Sequence, residues 1–186
     1  MYSDYEFEVR GFLTNLGLYN EGELRGEWVD FPCSKEEFAE ALDRIGVKQG
    51  VPGREEYFFT DWESDDLPVD SVIHYLGGNG AEYVHPDSVN LMLEKLEDAA
   101  RKWGSKDAVL AVCEGFGIEE AVDGKCDIIF ARDVSDDREL GEYYAEAGYI
   151  DIPENCRPYF DYEKFGRDVR LGEGGEFTEQ GYIALL

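Results

Sequence analysis

The amino-acid sequence predicts an α+β fold, with antiparallel sheet-and-helix units at both ends and a mainly helical middle. Short alternating apolar runs bounded by turn residues lie near each end. Capped segments of helical periodicity lie between them. The 186 residues are 43% hydrophobic and 14% aromatic, enough for a core although the net charge is −26. Wholesale disorder would need few aromatics as well as high charge.

Taken in order, "EFEVRGFLTNLG" (6–17) alternates and ends in turn residues, as a strand does. "GELRGEWVDFP" (22–32) reads as a second strand, stopped by Pro32. Ser34 and Glu37 match a capping box for a helix whose buried face is Phe38, Leu42 and Ile45, ended by Gly46. "EEYFFTDW" (55–62) is a third strand. Residues 63–85, with the glycine-rich "GGNGAEYVHP", carry no assignable element. Pro86 opens a helix on which Val89, Met92, Leu93, Leu96, Ala100 and Trp103 form the core face, opposite Asp87, Glu94, Glu97 and Asp98. "SKDAVLAVCEGFG" (105–117) is a further short helix, and "CDIIFAR" (126–132) a buried-looking strand. Residues 136–149 form a helix with Leu140, Tyr143, Tyr144 and Ala147 on one side and a stripe of Glu139, Glu142 and Glu146 on another. Residues 157–171 read as one helix with Tyr162, Phe165 and Val169 inward, broken by Gly172, Gly174 and Gly175. "EFTEQGYIALL" closes the chain as one or two strands.

Composition shifts near Trp62 and Trp103 divide the chain into 1–61, 62–103 and 104–186, with net charges of −8, −6 and −12. The negative charge therefore covers the folded body and is no detachable tail. Such a field repels nucleic acid and anionic membrane and attracts basic partners. The N-terminal "MYSDYEFEVR" lacks the basic and apolar regions of a signal peptide, and no apolar run approaches the ~20 residues of a membrane span. Cys33, Cys113, Cys126 and Cys156 are widely spaced, so reduced thiols and a cytoplasmic location are expected.

Catalytic and metal signatures are missing. The cysteines lack zinc spacing, and His74 and His85 read as surface residues. The stretch from Asp133 fails the calcium-loop pattern, having Arg138 at its sixth position and Tyr144 at its twelfth. "GEGG" near Gly172 is no dinucleotide fingerprint. Neither an active site nor a cofactor is predicted, and the chain is not expected to be an enzyme.

What remains is the charge. Duplex DNA carries one charge per ~1.7 Å of axis, so −26 equals the phosphates of roughly 13 base pairs, and a dimer would match about 26. Acids at i and i+4 on one helix stand ~6 Å apart, too sparse to imitate a duplex, so several acidic elements must lie side by side.

Three segments carry a resemblance: "TNLGLYNEGELRGEWVDFP" (14–32), "ELGEYYAEAGYIDIPEN" (139–155) and "YFDYEKFGRDVRL" (159–171). They resemble the hallmark segments of the ArdA antirestriction family, in the family's order, over residues 6–61 and 126–186. The resemblance implies an elongated chain of three small domains that dimerises through the last one. It implies a mimic of bent DNA that occupies the DNA groove of type I restriction-modification enzymes and protects a mobile genetic element. "LGEYYAEAG" (140–148) resembles the family's antirestriction motif, which places Leu140, Tyr143 and Tyr144 in or beneath the dimer contact or, equally, in the core of one subunit. In 160–168 the rings are expected to pack inward while Asp161, Glu163 and Asp168 face outward as phosphate stand-ins. With them in that role are expected Asp136, Asp137, Glu139, Glu142 and Glu146, and Asp87, Glu94, Glu97 and Asp98 on the central helix. Two alternatives stay open: an acidic module for another basic DNA-binding protein, and a salt-adapted protein of unrelated function.

Overall fold

In the computed structural model, which describes residues 5–186, the chain divides into two compact units, Met1–Asp98 and Ala99–Leu186. Residues 1–4, part of the stretch read for a signal peptide, lie outside the described residues. The fold is α+β: eight α-helices and two three-stranded antiparallel sheets among the described residues.

The first unit begins with β1 (Val9–Asn15), the short helix α1 (Leu16–Asn20), β2 (Gly26–Phe31), α2 (Lys35–Arg44) and β3 (Tyr57–Glu63). The sheet order is β2-β1-β3. The capping box forms as read: Ser34 Oγ accepts from Glu37 N, and the Glu37 carboxylate accepts from Ser34 N at 2.8 Å. A register shift opposite Phe12 puts Phe59 and Trp62, three residues apart, on one side of the sheet. There their rings meet at 4.5 Å, and Phe31 and Phe38 join them. This ring cluster is the core beneath α2.

Residues 63–85, unassigned from sequence, contain α3 (Val69–Leu76) and a 3-10 turn at Asn79–Ala81. Pro68 precedes α3 without a side-chain cap and Gly77 ends it, so neither boundary carries a strong signal. Then comes α4 (Pro86–Trp103), which contributes residues to both units. Val89, Met92, Leu93, Leu96 and Ala100 are buried as its periodicity requires, and Trp103 is half-buried.

The second unit continues with α5 (Lys106–Phe116), α6 (Ile118–Asp123), β4 (Ile128–Arg132), α7 (Asp137–Glu146), α8 (Tyr162–Glu173), β5 (Glu176–Thr178) and β6 (Gly181–Leu185). The sheet order is β4-β6-β5. Tyr182 and Ala184 of β6, with Ala131 of β4, pack on Leu140 and Tyr144 of α7 and on Phe165 and Val169 of α8. Ile183, pointing the other way, meets α5 near Gly115. The sheet is thus covered on both faces. β6 is buried along most of its length, whereas β4, read as a buried strand, is mostly half-buried.

The expected helix over 157–171 is two pieces. Arg157–Tyr159 is a 3-10 turn containing Pro158, and the chain is extended at Phe160 before Asp161 caps α8 by accepting from Lys164 N. Gly172 lies inside α8, and Gly174, in the left-handed region, ends it. On α7 the buried face is Leu140, Gly141 and Tyr144, while Tyr143 and Ala147, read on the same side of the helix, are exposed. No helix among the described residues is long and apolar enough to cross a membrane.

Candidate functional site

Two of the three segments that carry the resemblance, 139–155 and 159–171, meet in the α7–α8 pair. A side chain on Gly141 would strike the carbonyl oxygen of Tyr162, and one on Gly166 would strike that of Asp137 and stand 2.7 Å from Gly141 N. Only hydrogen fits at either place, so the helices cross with their backbones in contact. Arg170 of α8 donates from Nε to Asp137 of α7 at 2.8 Å in a pair whose side chains are about three-quarters buried. The Tyr144 and Tyr182 hydroxyls both donate to the Glu173 carboxylate at 2.7–2.8 Å. Burial first, and then those hydrogen bonds, push both phenols well above the ordinary tyrosine range.

These contacts sort the acids nominated from sequence. Asp136 caps α7, accepting from Glu139 N at 2.8 Å. Glu139 accepts from Ser135 N and Oγ, which fixes the approach to the same helix. Glu142 accepts from Arg138 Nε at 3.0 Å. That hydrogen bond is the main reason the guanidinium is held even more firmly charged than usual, and Asp136 and Glu163 add to it. Asp137 is tied to Arg170, and Asp161 caps α8. Glu146, Glu163 and Asp168 are exposed. In 160–168 Phe160, Tyr162 and Phe165 are half-buried with Phe160 touching the other two rings, and Phe165 packs on the core of the unit, while the three nominated acids are exposed. Leu140 and Tyr144 lie beneath the surface, and Tyr143 reaches it.

On α4, in the first unit, Asp87, Glu94 and Asp98 are exposed and Glu97 is half-buried. Asp87 stands 3.8 Å from Lys35 and 3.7 Å from His85. Asn90 fixes the start of this helix by exchanging two hydrogen bonds with the Cys33 backbone, at 2.7 and 3.1 Å.

Two clefts in the first unit bear on an enzymatic reading. One is lined by Glu8, Asp30, Glu63, Asp65 and Asp66 with Arg10 as its base, and Arg10 is already bound to Glu63. The other brings Cys33, Tyr57 and His85 together. There burial, with Glu37 and Asp87 nearby, pushes the Cys33 thiol up to about 11, so it is protonated at neutral pH, the reverse of what a nucleophile needs. Among the described residues no group of three His, Cys, Asp or Glu converges as a metal site would.

Sequence reading missed Gly141, Gly166 and Glu173. The available signal was a small residue amid each of two neighbouring apolar faces, but nothing in one dimension shows that two such faces meet.

Comparison with curated proteins found no match to this chain. A family model does match: that of the antirestriction protein ArdA, over residues 12–184. The match takes in both units, including the stretch between the hallmark segments, and the chain therefore belongs to the ArdA family of antirestriction proteins.

Proposed function

We propose that this chain is a non-enzymatic, acidic stand-in for DNA that occupies the DNA-binding groove of a type I restriction-modification enzyme, at its methyltransferase core. The observation that carries the reading is the α7–α8 pair. It sets two acid-bearing helices in backbone contact and fixes several of their carboxylates by caps and ion pairs. Side-by-side elements are what the charge density of a duplex demands, since one helix alone is too sparse. Helices fastened to each other present their exposed acids at set spacings, at a smaller entropic cost than acids on independent segments would incur. In this reading Glu146, Glu163 and Asp168 meet the enzyme directly, with Asp87, Glu94, Glu97 and Asp98 of α4 contributing from the other unit. The chain works in the cytoplasm as a homodimer of three-module subunits, 1–61, 62–103 and 104–186, with Tyr143 at the dimer surface and Leu140 and Tyr144 supporting it from below.

Competition tests this. A type I methyltransferase core is held on a labelled duplex containing its target, and the protein is titrated in at rising salt. Displacement near one dimer per enzyme is expected, weakening with salt as exposed charges are screened over ~8 Å at physiological ionic strength. No displacement at large excess, across several type I enzymes, would turn the search to other basic partners. A salt-adapted protein would instead lose its structure in dilute buffer, where a mimic stays folded.

A further inference from the structure

The first unit carries an aromatic patch separate from its core and from the nominated acids. Phe58 lies on the side of the β2-β1-β3 sheet opposite Phe59 and is buried. Tyr19, near the end of α1, meets the Phe58 ring edge-on, with centroids 5.2 Å apart. Tyr83 stacks on the same ring at 6.5 Å and an interplanar angle of 29°. The segment bearing Tyr83 is fixed beside β3 because Phe59 N donates to Glu82 O at 2.8 Å. Yet Tyr19 is 49% exposed and Tyr83 is 71% exposed. Two large rings are thus held in place from behind and left open in front.

The chain itself shows what such rings hold. The Arg10 guanidinium lies 5.0 Å from the Trp28 ring centroid and donates to Glu63. The Arg170 guanidinium lies 5.4 Å from that of Phe177 and donates to Asp137. In both places a guanidinium sits between a ring and a carboxylate. Tyr83 and Phe58 have exposed carboxylates close along the chain, Glu82 and Glu56. Among the described residues neither carboxylate is in an ion pair, and no cation stands over Tyr19 or Tyr83.

We propose that Tyr19 and Tyr83, braced by Phe58, form an arginine-selective docking point. A guanidinium of the partner lies against a tyrosine face and donates to Glu82 or Glu56. Charge alone does not distinguish arginine from lysine, but an aromatic face does. The guanidinium is flat and weakly hydrated and stacks on a ring, whereas the ammonium holds its water tightly. A DNA-binding groove is lined by both bases. A surface of carboxylates alone engages them without preference, and the two rings add a contact that selects arginine. The inference rests on the DNA-substitute reading for the identity of the partner, and on the rings for the selectivity.

The probes are an oligo-arginine and an oligo-lysine of equal length, each titrated into the full chain. The expected result is tighter binding of oligo-arginine. The double variant Tyr19→Leu/Tyr83→Leu should lower oligo-arginine affinity by about 2- to 5-fold for each ring lost, while oligo-lysine affinity holds. The variant Tyr19→Phe/Tyr83→Phe, which keeps both rings, should bind as the parent does. Because both side chains are exposed, unfolding midpoints should match and confirm that all three proteins are folded. Loss of affinity for both peptides alike, or for neither, overturns the proposal. The peptides decide arginine selectivity, and displacement of a methyltransferase core from DNA decides the mimic reading, so the two can fail separately.

Discussion

Each unit is built on three antiparallel strands, but the two sheets are held differently. The first is gripped on one side by rings: Phe31, Phe38, Phe59 and Trp62 interlock beneath α2, and the acids of that unit pair with arginines mostly at the surface, as Glu27 does with Arg44 and Glu21 with Arg54. The second is covered on both sides, and carboxylates tie its elements together: Asp137 on Arg170, Glu173 on the hydroxyls of two buried tyrosines, and exposed Asp136 and Asp161 at helix starts. An acid-rich chain can therefore use its charge in two ways. It can display carboxylates around an apolar core, or use some of them to fasten the elements that display the rest.

Backbone contact offers the sharpest way to break this contrast. Gly166→Ala drives a methyl group into main-chain atoms that cannot rotate away. It should cost at least the ~3 kcal/mol upper range of ordinary overpacking. Gly11→Ala, in the first sheet, meets ring atoms of Phe59 and Trp62 at 2.7–2.9 Å. Rings can give, so a loss of about 1–2 kcal/mol is expected there. Urea unfolding of the two variants ranks them, and equal losses would remove the distinction.

A smaller effect compares two arginine pairs. Asp137→Asn weakens a mostly buried tie and should cost about 1.5–3 kcal/mol, as hydrogen bonds to charged groups do. Glu63→Gln weakens the pair with Arg10, in which both side chains are about half exposed, and should cost under about 1 kcal/mol. Thermal unfolding at low and high salt separates them, because only the exposed pair should lose its contribution to screening.

The smallest effects are pH-dependent. Tyr144 and Tyr182 have raised folded-state pKa values, so the stability they contribute is complete below about pH 10, the ordinary phenol value, and is lost as pH rises beyond it. Tyr144→Phe should make that alkaline decline shallower. In the first unit the Ser34 backbone N–H and hydroxyl hold Glu37 below the usual carboxylate range, so its contribution is present above about pH 4.3 and is lost as pH falls. Glu37→Gln should flatten the acid limb and leave the alkaline one unchanged. Unfolding midpoints measured across both limits check the pair.

Much of the fold was legible in the sequence because its signals are local. The Ser34–Glu37 box, the apolar stripe of α4 and the Gly181–Leu185 strand need only neighbouring residues to be read. The misses needed information from farther away or had weak signals. α3 begins after a proline with no capping side chain, and Asp161 splits the 157–171 segment through a hydrogen bond that helical periodicity does not reveal. The candidate acids were found as charges, but sequence could not separate Asp137, fastened to a residue 33 positions away, from exposed Asp168. Tyr143 reads on one side with Leu140 because i+3 spacing permits it, and sequence leaves open whether it lies at the surface or in the core; the residues buried beside Leu140 are Gly141 and Tyr144.

The glycine crossing also limits how this sequence can change over generations. Ordinarily a misfit in a core is repaired by shrinking the neighbour, so that two positions drift together. At Gly141 and Gly166 the obstacle is the main chain of Tyr162 and Asp137, which no side-chain replacement makes smaller. Neither glycine has a compensating partner, and the positions are fixed one by one. The acids facing solvent can exchange aspartate for glutamate or move along the helix while keeping the field they produce. Drift should therefore preserve the lettering around the two glycines longer than the placement of the charges themselves.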